Sequence, residues 1–195
     1  MSEQISAKEL KQLLACDFET GKLTWLTRPL DIFKTNGYHP LQHSCDKWNT
    51  KFSGKTAFTF KEKRGYLSGR IFRKGYLAHR IIWALHTGEW PTEQIDHING
   101  DPADNRITNL REALGSQNQY NRGKTSKNTS GYKGVYLHKK TGKWLAQIGV
   151  AGRVKYLGYF ETPLLAHAAY CEAASRLHGA FANNGQAITG EVKCF

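Results

Sequence analysis

The chain is poor in cysteine, and its four residues, Cys16, Cys45, Cys171 and Cys194, include no C-x-x-C pair. A zinc ribbon and a redox dithiol both need that spacing, so neither is expected. The four read as free thiols in a reducing compartment. Long apolar runs are also lacking: none approaches the roughly 20 residues of a membrane-spanning helix, and mean hydropathy is −0.57. The opening MSEQISAKEL has no basic-then-apolar layout. Export is therefore not expected, and a cytoplasmic protein is. Acidic residues are scarce, 16 against 28 Lys and Arg, which leaves a net charge of +12. They are missing altogether from residues 122–160, where Arg122, Lys124, Lys127, Lys133, Lys139, Lys140, Lys143, Arg153 and Lys155 fall. A basic surplus concentrated in this way favours a polyanionic partner, a nucleic acid or an acidic membrane face.

What is present falls into recognisable pieces. Ser6 followed by Glu9 forms a capping box for a short helix through Leu14. Gly21 then stands between two apolar stretches, as in a hairpin turn. Residues 27–55, with Pro29, Gly37, Pro40 and Gly54, are expected to be loops. Residues 65–72 and 75–78 read as paired strands turning at Arg73-Lys74, and a helix follows from Ala78 until Gly88 stops it. The polar stretch 123–130 reads as a linker. Beyond it, residues 133–138, 143–150 and 153–157 alternate like three short strands. Thr162-Pro163 then opens a helix, with proline at its first position. A three-stranded sheet packed on one helix leaves its other face open for a partner.

The stretch from Ile95 to Glu112 crowds Asx and Gly residues, which suits a tight loop between two short strands. Ser116 is placed to cap a helix carrying Asn118. Hydrolysing a phosphodiester at neutral pH needs a base with a pKa near 7, a cation for the developing phosphorane charge, and rigid placement of both. Histidine suits the first task. A carboxylate and an amide oxygen are hard donors suited to Mg²⁺. Asp96 and His97 are neighbours, so on a regular strand they would face opposite ways, and both serve one site only where the strand ends or bends.

His97, Asn109 twelve residues on and Asn118 nine further match the spacing of the HNH endonuclease motif in its variant with Asn at the third position. The surrounding words agree: Ala78-His79-Arg80, Gly88-Glu89-Trp90-Pro91, Asp104-Asn105-Arg106, Asn109-Leu110-Arg111 and Ser116-Gln117-Asn118. The stretch, roughly residues 55–122, resembles the HNH enzymes of phages and mobile introns. That resemblance implies a two-strand-plus-helix metal fold holding one divalent ion, Mg²⁺ with Mn²⁺ able to substitute. Asp96 and Asn118 would bind the metal, His97 would activate the attacking water, and Asn109 would hydrogen-bond across the loop to hold His97. It implies a 5′-phosphate product and a phage or mobile-element origin in a bacterial host. His79 and Arg80 stay open between a place near the metal and a scaffold role.

A second resemblance begins at Gly131-Tyr132-Lys133-Gly134-Val135-Tyr136 and continues through Gly142-Lys143-Trp144, Tyr156-Leu157-Gly158-Tyr159-Phe160, Thr162-Pro163 and Asn183-Asn184. Residues 129–184 look like the DNA-binding domain of plant Apetala-two/ethylene-response-factor proteins. The resemblance implies a sheet laid in the major groove, its free face carrying Lys133, Tyr136, His138, Gln147 and Tyr156. Lys139, Lys140, Lys143, Arg153 and Lys155 would serve phosphates. Several face positions that are arginine or tryptophan in the plant proteins differ here, so no target sequence carries over. Trp144 suits either the core or the DNA face.

These readings make an α+β protein. Residues 1–55 are an N-terminal extension, 56–122 an HNH nuclease domain, 123–130 a linker, 131–184 a sheet-plus-helix DNA-binding domain and 185–195 a tail. The expected function is metal-dependent, homing-type cleavage of double-stranded DNA, without membrane or small-molecule cofactor. A non-catalytic DNA-binding regulator on a nuclease-like fold is the alternative.

Overall fold

The computed structural model describes residues 4–34, 38 and 40–185, in an α+β fold. The chain separates into two compact units: Met1–His97 with Asp101–Arg111, and Ile98–Gly100 with Glu112–Phe195.

In the first unit the expected capping box forms: Ser6 Oγ accepts from the Glu9 amide while Glu9 reaches back to the Ser6 amide. It opens α1 (Ala7–Leu13). Strands β1 (Leu14–Asp17) and β2 (Lys22–Trp25) make the expected antiparallel hairpin, with Gly21 at φ +67° in its turn. The expectation of loops for residues 27–55 is corrected. A twelve-residue helix, α2 (Leu41–Phe52), follows Pro40. Its inner side is drawn by Leu41, Cys45, Trp48 and Phe52, spaced four, three and four residues apart, which is helical spacing. A short β3 (Thr56–Ala57) then pairs with β2. Strands β4 (Phe60–Lys61), β5 (Leu67–Ile71) and β6 (Lys74–Leu77) form a second antiparallel sheet. Its β5–β6 turn lies at Phe72-Arg73, one residue before the expected Arg73-Lys74. Both residues have positive φ, +48° and +68°.

Helix α3 (Ala78–Thr87) ends at Gly88, as expected, in a left-handed cap. Its Ile81 and Ile82 are fully buried with Leu10, Leu13, Leu23 and Ile71. One hydrophobic cluster thus joins the N-terminal helix and hairpin to α3, Ile95 and Leu110. Strand β7 (Gln94–His97) and β8 (Leu110–Ala113) form a two-stranded sheet, with the Asx-rich loop between them as expected.

The second unit holds α4 (Gly115–Tyr120), then β9 (Val135–His138), β10 (Lys143–Val150), β11 (Arg153–Phe160) and α5 (Pro163–His178). Ser116 lies inside α4 and is not its cap, a correction. The residue before the helix is Leu114, whose amide donates to Gln117 Oε1 at 2.9 Å, so the glutamine satisfies the helix start. The three strands pair antiparallel in the order β11-β10-β9. Thr162 caps α5, with Pro163 at its first position as expected. Ala166, Tyr170, Ala173 and Ala174 of α5 bury Val135, Ala146 and Ile148 of the sheet. The small alanines let helix and sheet approach closely. Trp144 packs half-buried against Val135, Ala146 and Ala166, which settles it on the core side.

Cys16, Cys45 and Cys171 are free thiols, and Cys194 lies outside the described residues, as does the expected tail beyond Gly185. Among the described residues, no helix is long and apolar enough to cross a membrane.

Candidate active site and nucleic-acid interface

β7 runs inward, with Ile95, Asp96 and His97 all buried. His97 is the strand's last residue, and the chain turns there into the loop. This is the condition that lets adjacent side chains serve one place. His97 is 5% exposed and Asp96 4%. Arg111 on β8 reaches the same oxygen of Asp96 twice, Nε at 2.8 Å and a terminal nitrogen at 2.7 Å. This charge-assisted pair fixes the Asp96 side chain in one orientation.

Nε2 of His97 lies 3.1 Å from Oδ1 of Asn105. With Asn105 in this orientation its amide oxygen accepts from Nε2, which places the ring proton there and the lone pair on Nδ1, while Asn105 Nδ2 is buried without a partner among the described residues. Burial pushes the His97 pKa below the ordinary histidine value. The Asn105 bond and the charges of Asp96, Asp101 and Asp104 act against that shift. Asn109, 6% exposed, donates from Nδ2 to the Asp104 carbonyl at 2.8 Å and so ties the loop.

Asn105, only 2% exposed, is a site residue that the sequence analysis missed. It sits four residues before Asn109 in a run of Asx residues, where nothing in the spacing marks it out. The N-terminal hairpin supports its backbone. A Cβ on Gly21 would lie 2.3 Å from the Asn105 carbonyl carbon, and the Ile107 amide donates to the Phe18 carbonyl at 3.0 Å.

His79 and Arg80 part ways. Arg80 donates to the Glu93 and Pro91 carbonyls, both at 3.0 Å, and so holds the segment entering β7. His79 packs edge-on to His97, with ring centroids 5.0 Å apart at 87°, and Tyr66 closes the group at 5.2 Å from His79 and 5.8 Å from His97. Burial, chiefly, pushes the His79 pKa down to about 3, with the neighbouring His97 and Arg80 adding to it. His79 is therefore neutral at any ordinary pH.

The first unit thus brings together Asp96, His97 and Asn109 of the expected set, with Asn105, Arg111 and His79 around them. Asn118 lies half-buried on α4, in the second unit. Among the described residues, no three His, Cys, Asp or Glu side chains are grouped as a metal cage. Of the expected donor pair, the first unit holds the Asp96 carboxylate, a hard oxygen donor of the kind Mg²⁺ takes, and the second unit holds the Asn118 amide oxygen.

In the second unit, cross-strand partners assign the sheet faces. Ala146 and Ile148 turn to the helix, so Leu145 and Gln147 point the other way. Leu145 pairs with Tyr136 and Tyr159, Gln147 with Tyr156 and Lys143 with His138, so these share the open face. His138 meets Tyr159 edge-on at 5.2 Å. Arg153 and Lys155 pair with Val150 and Ile148 and alternate to the other side. Lys139 and Lys140 lie in the β9–β10 turn, and Lys143 pairs with Glu161 at 2.6 Å. Lys133 departs from the expected role on the open face. Its ammonium donates to the Tyr120 carbonyl at 2.8 Å and sits over the Tyr170 ring, and burial pushes its pKa down to about 8.

Residues 76–120 match the HNH endonuclease family. Protein 3.8 of Escherichia phage T7 is 34% identical over 117 residues, 59% of this chain and 95% of the phage protein. A solved structure described as DNA binding and cleavage by the HNH homing endonuclease I-HmuI aligns over 94% of both chains at 19% identity, with a TM-score of 0.38. The chain therefore belongs to one family with protein 3.8 of phage T7 and carries an HNH endonuclease domain over residues 76–120.

Proposed function

We propose that the protein is a metal-dependent, homing-type endonuclease that hydrolyses phosphodiester bonds of double-stranded DNA, aided by a tethered recognition module. The observation that carries this reading is the buried His97, its ring held through Nε2 by Asn105, beside a carboxylate locked by Arg111. In this reading His97 takes the proton of the attacking water at Nδ1. Its low pKa keeps it neutral and ready to accept near neutral pH. Asn105 fixes the ring plane and tautomer, and Asn109 keeps the loop that carries Asn105 closed. Asp96 and Asn118 would hold the divalent ion, Mg²⁺ or in its place Mn²⁺. Such an ion supplies positive charge for the phosphorane and the departing 3′-oxygen.

The second unit is the recognition module of this reading. Tyr136, His138, Gln147 and Tyr156 on the open face would meet bases and Lys139 and Lys140 in the turn would meet phosphates, while Lys143 is paired with Glu161 and Arg153 and Lys155 lie on the sheet's other side. Lys133 would act there through the fold, since its ammonium is already engaged. A tether of this kind raises the local concentration of the nuclease near a bound site.

The test is cleavage of plasmid DNA with Mg²⁺ or Mn²⁺. Wild type is expected to cut, and His97→Ala to lose cutting by at least about 10³-fold while still shifting DNA in a gel. A wild-type protein that binds DNA but cuts no substrate with either metal would favour the regulator reading instead.

A further inference from the structure

The first unit contains a concave feature that the proposed chemistry does not use. A cavity of about 390 Å³ is lined by Trp25, Trp48, Phe52, Phe72, Arg28, Arg70 and Arg73. Four aromatic rings and three arginines meet there with no carboxylate among the lining residues. Its size lies at the lower end of small-molecule sites, about 300–1,000 Å³.

Arg28 is the unusual member. It is 7% exposed, with its guanidinium carbon 3.7 Å from the centroid of Trp48, 5.1 Å from Trp25 and 5.3 Å from Phe72. Asn49 of α2 clamps its backbone, accepting from the amide and donating to the carbonyl, both at 2.9 Å. The guanidinium pairs with no carboxylate among the described residues, and its Nε is buried without an acceptor. A buried arginine normally has an acidic partner or a full set of acceptors. At the rim, Phe72 and Arg73 are exposed on a turn whose two positive φ angles L residues rarely adopt. Strain of that sort clusters at ligand clamps and other functional positions.

The lining states what would complete it. A cation is excluded, because Arg28 already occupies the aromatic cage. An aliphatic ligand would leave three guanidinium groups unanswered. A planar ring bearing an anionic group satisfies both features: the ring stacks on the indoles and Phe72, and the anion meets the arginines. We propose that this cavity binds one unpaired nucleotide of DNA, its base stacked among Trp25, Trp48 and Phe72 and its phosphate on Arg70 and Arg73, with Arg28 at the base of the stack. The choice of DNA rests on the endonuclease reading above. The site itself does not depend on the chemistry at His97.

The test uses the full chain carrying His97→Ala, so that binding is read without cleavage. Fluorescence anisotropy measures its affinity for a labelled thymidine octadeoxynucleotide and for a blunt duplex, and tryptophan emission is followed in the same titrations. The octamer is expected to quench tryptophan emission. Adding Phe72→Ala or Arg73→Ala, both exposed positions, is expected to weaken octamer binding by at least about fivefold. Duplex affinity should stay within about twofold, and the melting temperature should be unchanged. Octamer binding that survives both substitutions overturns the proposal. So does an equal loss on the duplex, which would mark the arginines as general phosphate ligands. Tighter binding of a uridine octaribonucleotide, abolished in the same variants, would assign the cavity to RNA and overturn the DNA assignment.

Discussion

At the scale of single residues, the candidate site depends on side chains that carry no chemistry themselves. His97 can take a proton only if its ring stays where its strand leaves it, and the bond to Asn105 Oδ1 is what the structure provides for that. Asn105→Ala is expected to slow DNA cutting by about 100-fold, the cost of roughly an ångström of misplacement. DNA affinity should stay within about twofold. Rescue by Asn105→Gln would point to positioning of the ring, and unchanged cutting in Asn105→Ala would remove Asn105 from the site. The His97-to-Asn109 spacing and the Asp96 neighbour could be read along the chain, because those residues lie within one strand-loop-strand segment. Asn105 and Arg111 could not be given a role, and His79 stayed open between two. Their importance comes from what each touches: a ring nitrogen, a carboxylate and a ring edge reached only after folding. His79 stands eighteen residues before its neighbour His97 and on a helix, a separation over which no local pattern survives.

At the scale of elements, the N-terminal hairpin supports the loop that carries Asn105. Gly21 has the left-handed φ of +67° and no room for a methyl group, the nearest atom being the Asn105 carbonyl carbon at 2.3 Å. Gly21→Ala costs about 1–2 kcal/mol for the backbone conformation alone and must also displace Asn105. The expected result is a lower denaturation midpoint together with slower cutting, measured by urea unfolding and plasmid cleavage. Parent-like stability would show that the hairpin and loop do not meet. This hairpin was legible because its turn signal is local. Helix α2 was hidden by Pro40 and a polar surround, although Leu41, Cys45, Trp48 and Phe52 keep helical spacing. In the second unit, α5 carries two buried histidines whose pKa values burial lowers. His167 lies among Tyr132, Tyr170 and Cys171 with Lys124 near, and His178 is stacked on Tyr120, bonded to the Gly149 carbonyl, with Lys133 near. A folded pKa below the unfolded value of about 6.5 means that the unfolded chain binds more protons as pH drops. Stability from these residues is therefore complete above about pH 6.5 and falls away progressively below it. Thermal unfolding followed from about pH 7.5 to 5, a range spanning the histidine titration, should show the fall. His178→Asn should flatten it relative to the parent. An identical pH profile for the two proteins would overturn this account.

At the scale of the whole molecule, a net charge of +12 and an acid-free stretch at residues 122–160 point to a polyanion, but they do not say which cations touch it. The sheet register divides them. The open face presents Tyr136, Tyr156, Tyr159 and Gln147, and its lysine, Lys143, is already paired with Glu161. Lys139 and Lys140 stand in the turn at the sheet's end, where a groove-seated sheet would meet a phosphate backbone. In the proposed reading, charge and recognition would thus fall to different parts of the same small sheet, and salt separates them. Removing a lysine that neutralises one phosphate should reduce the slope of log affinity against log salt by about 0.9. Lys139→Ala with Lys140→Ala should therefore flatten the slope by about 1.8, whereas Tyr156→Ala should weaken binding and leave the slope as it was. Gel-shift titrations of a duplex from about 50 to 200 mM salt, a range over which counterion release changes affinity steeply, distinguish the two. A double lysine variant with the parent slope would mean that the turn does not reach phosphate. The cations on the other side of the strand, Arg153 and Lys155, would then be the ones to substitute, and the sheet would have to meet DNA by its edge instead of its open face.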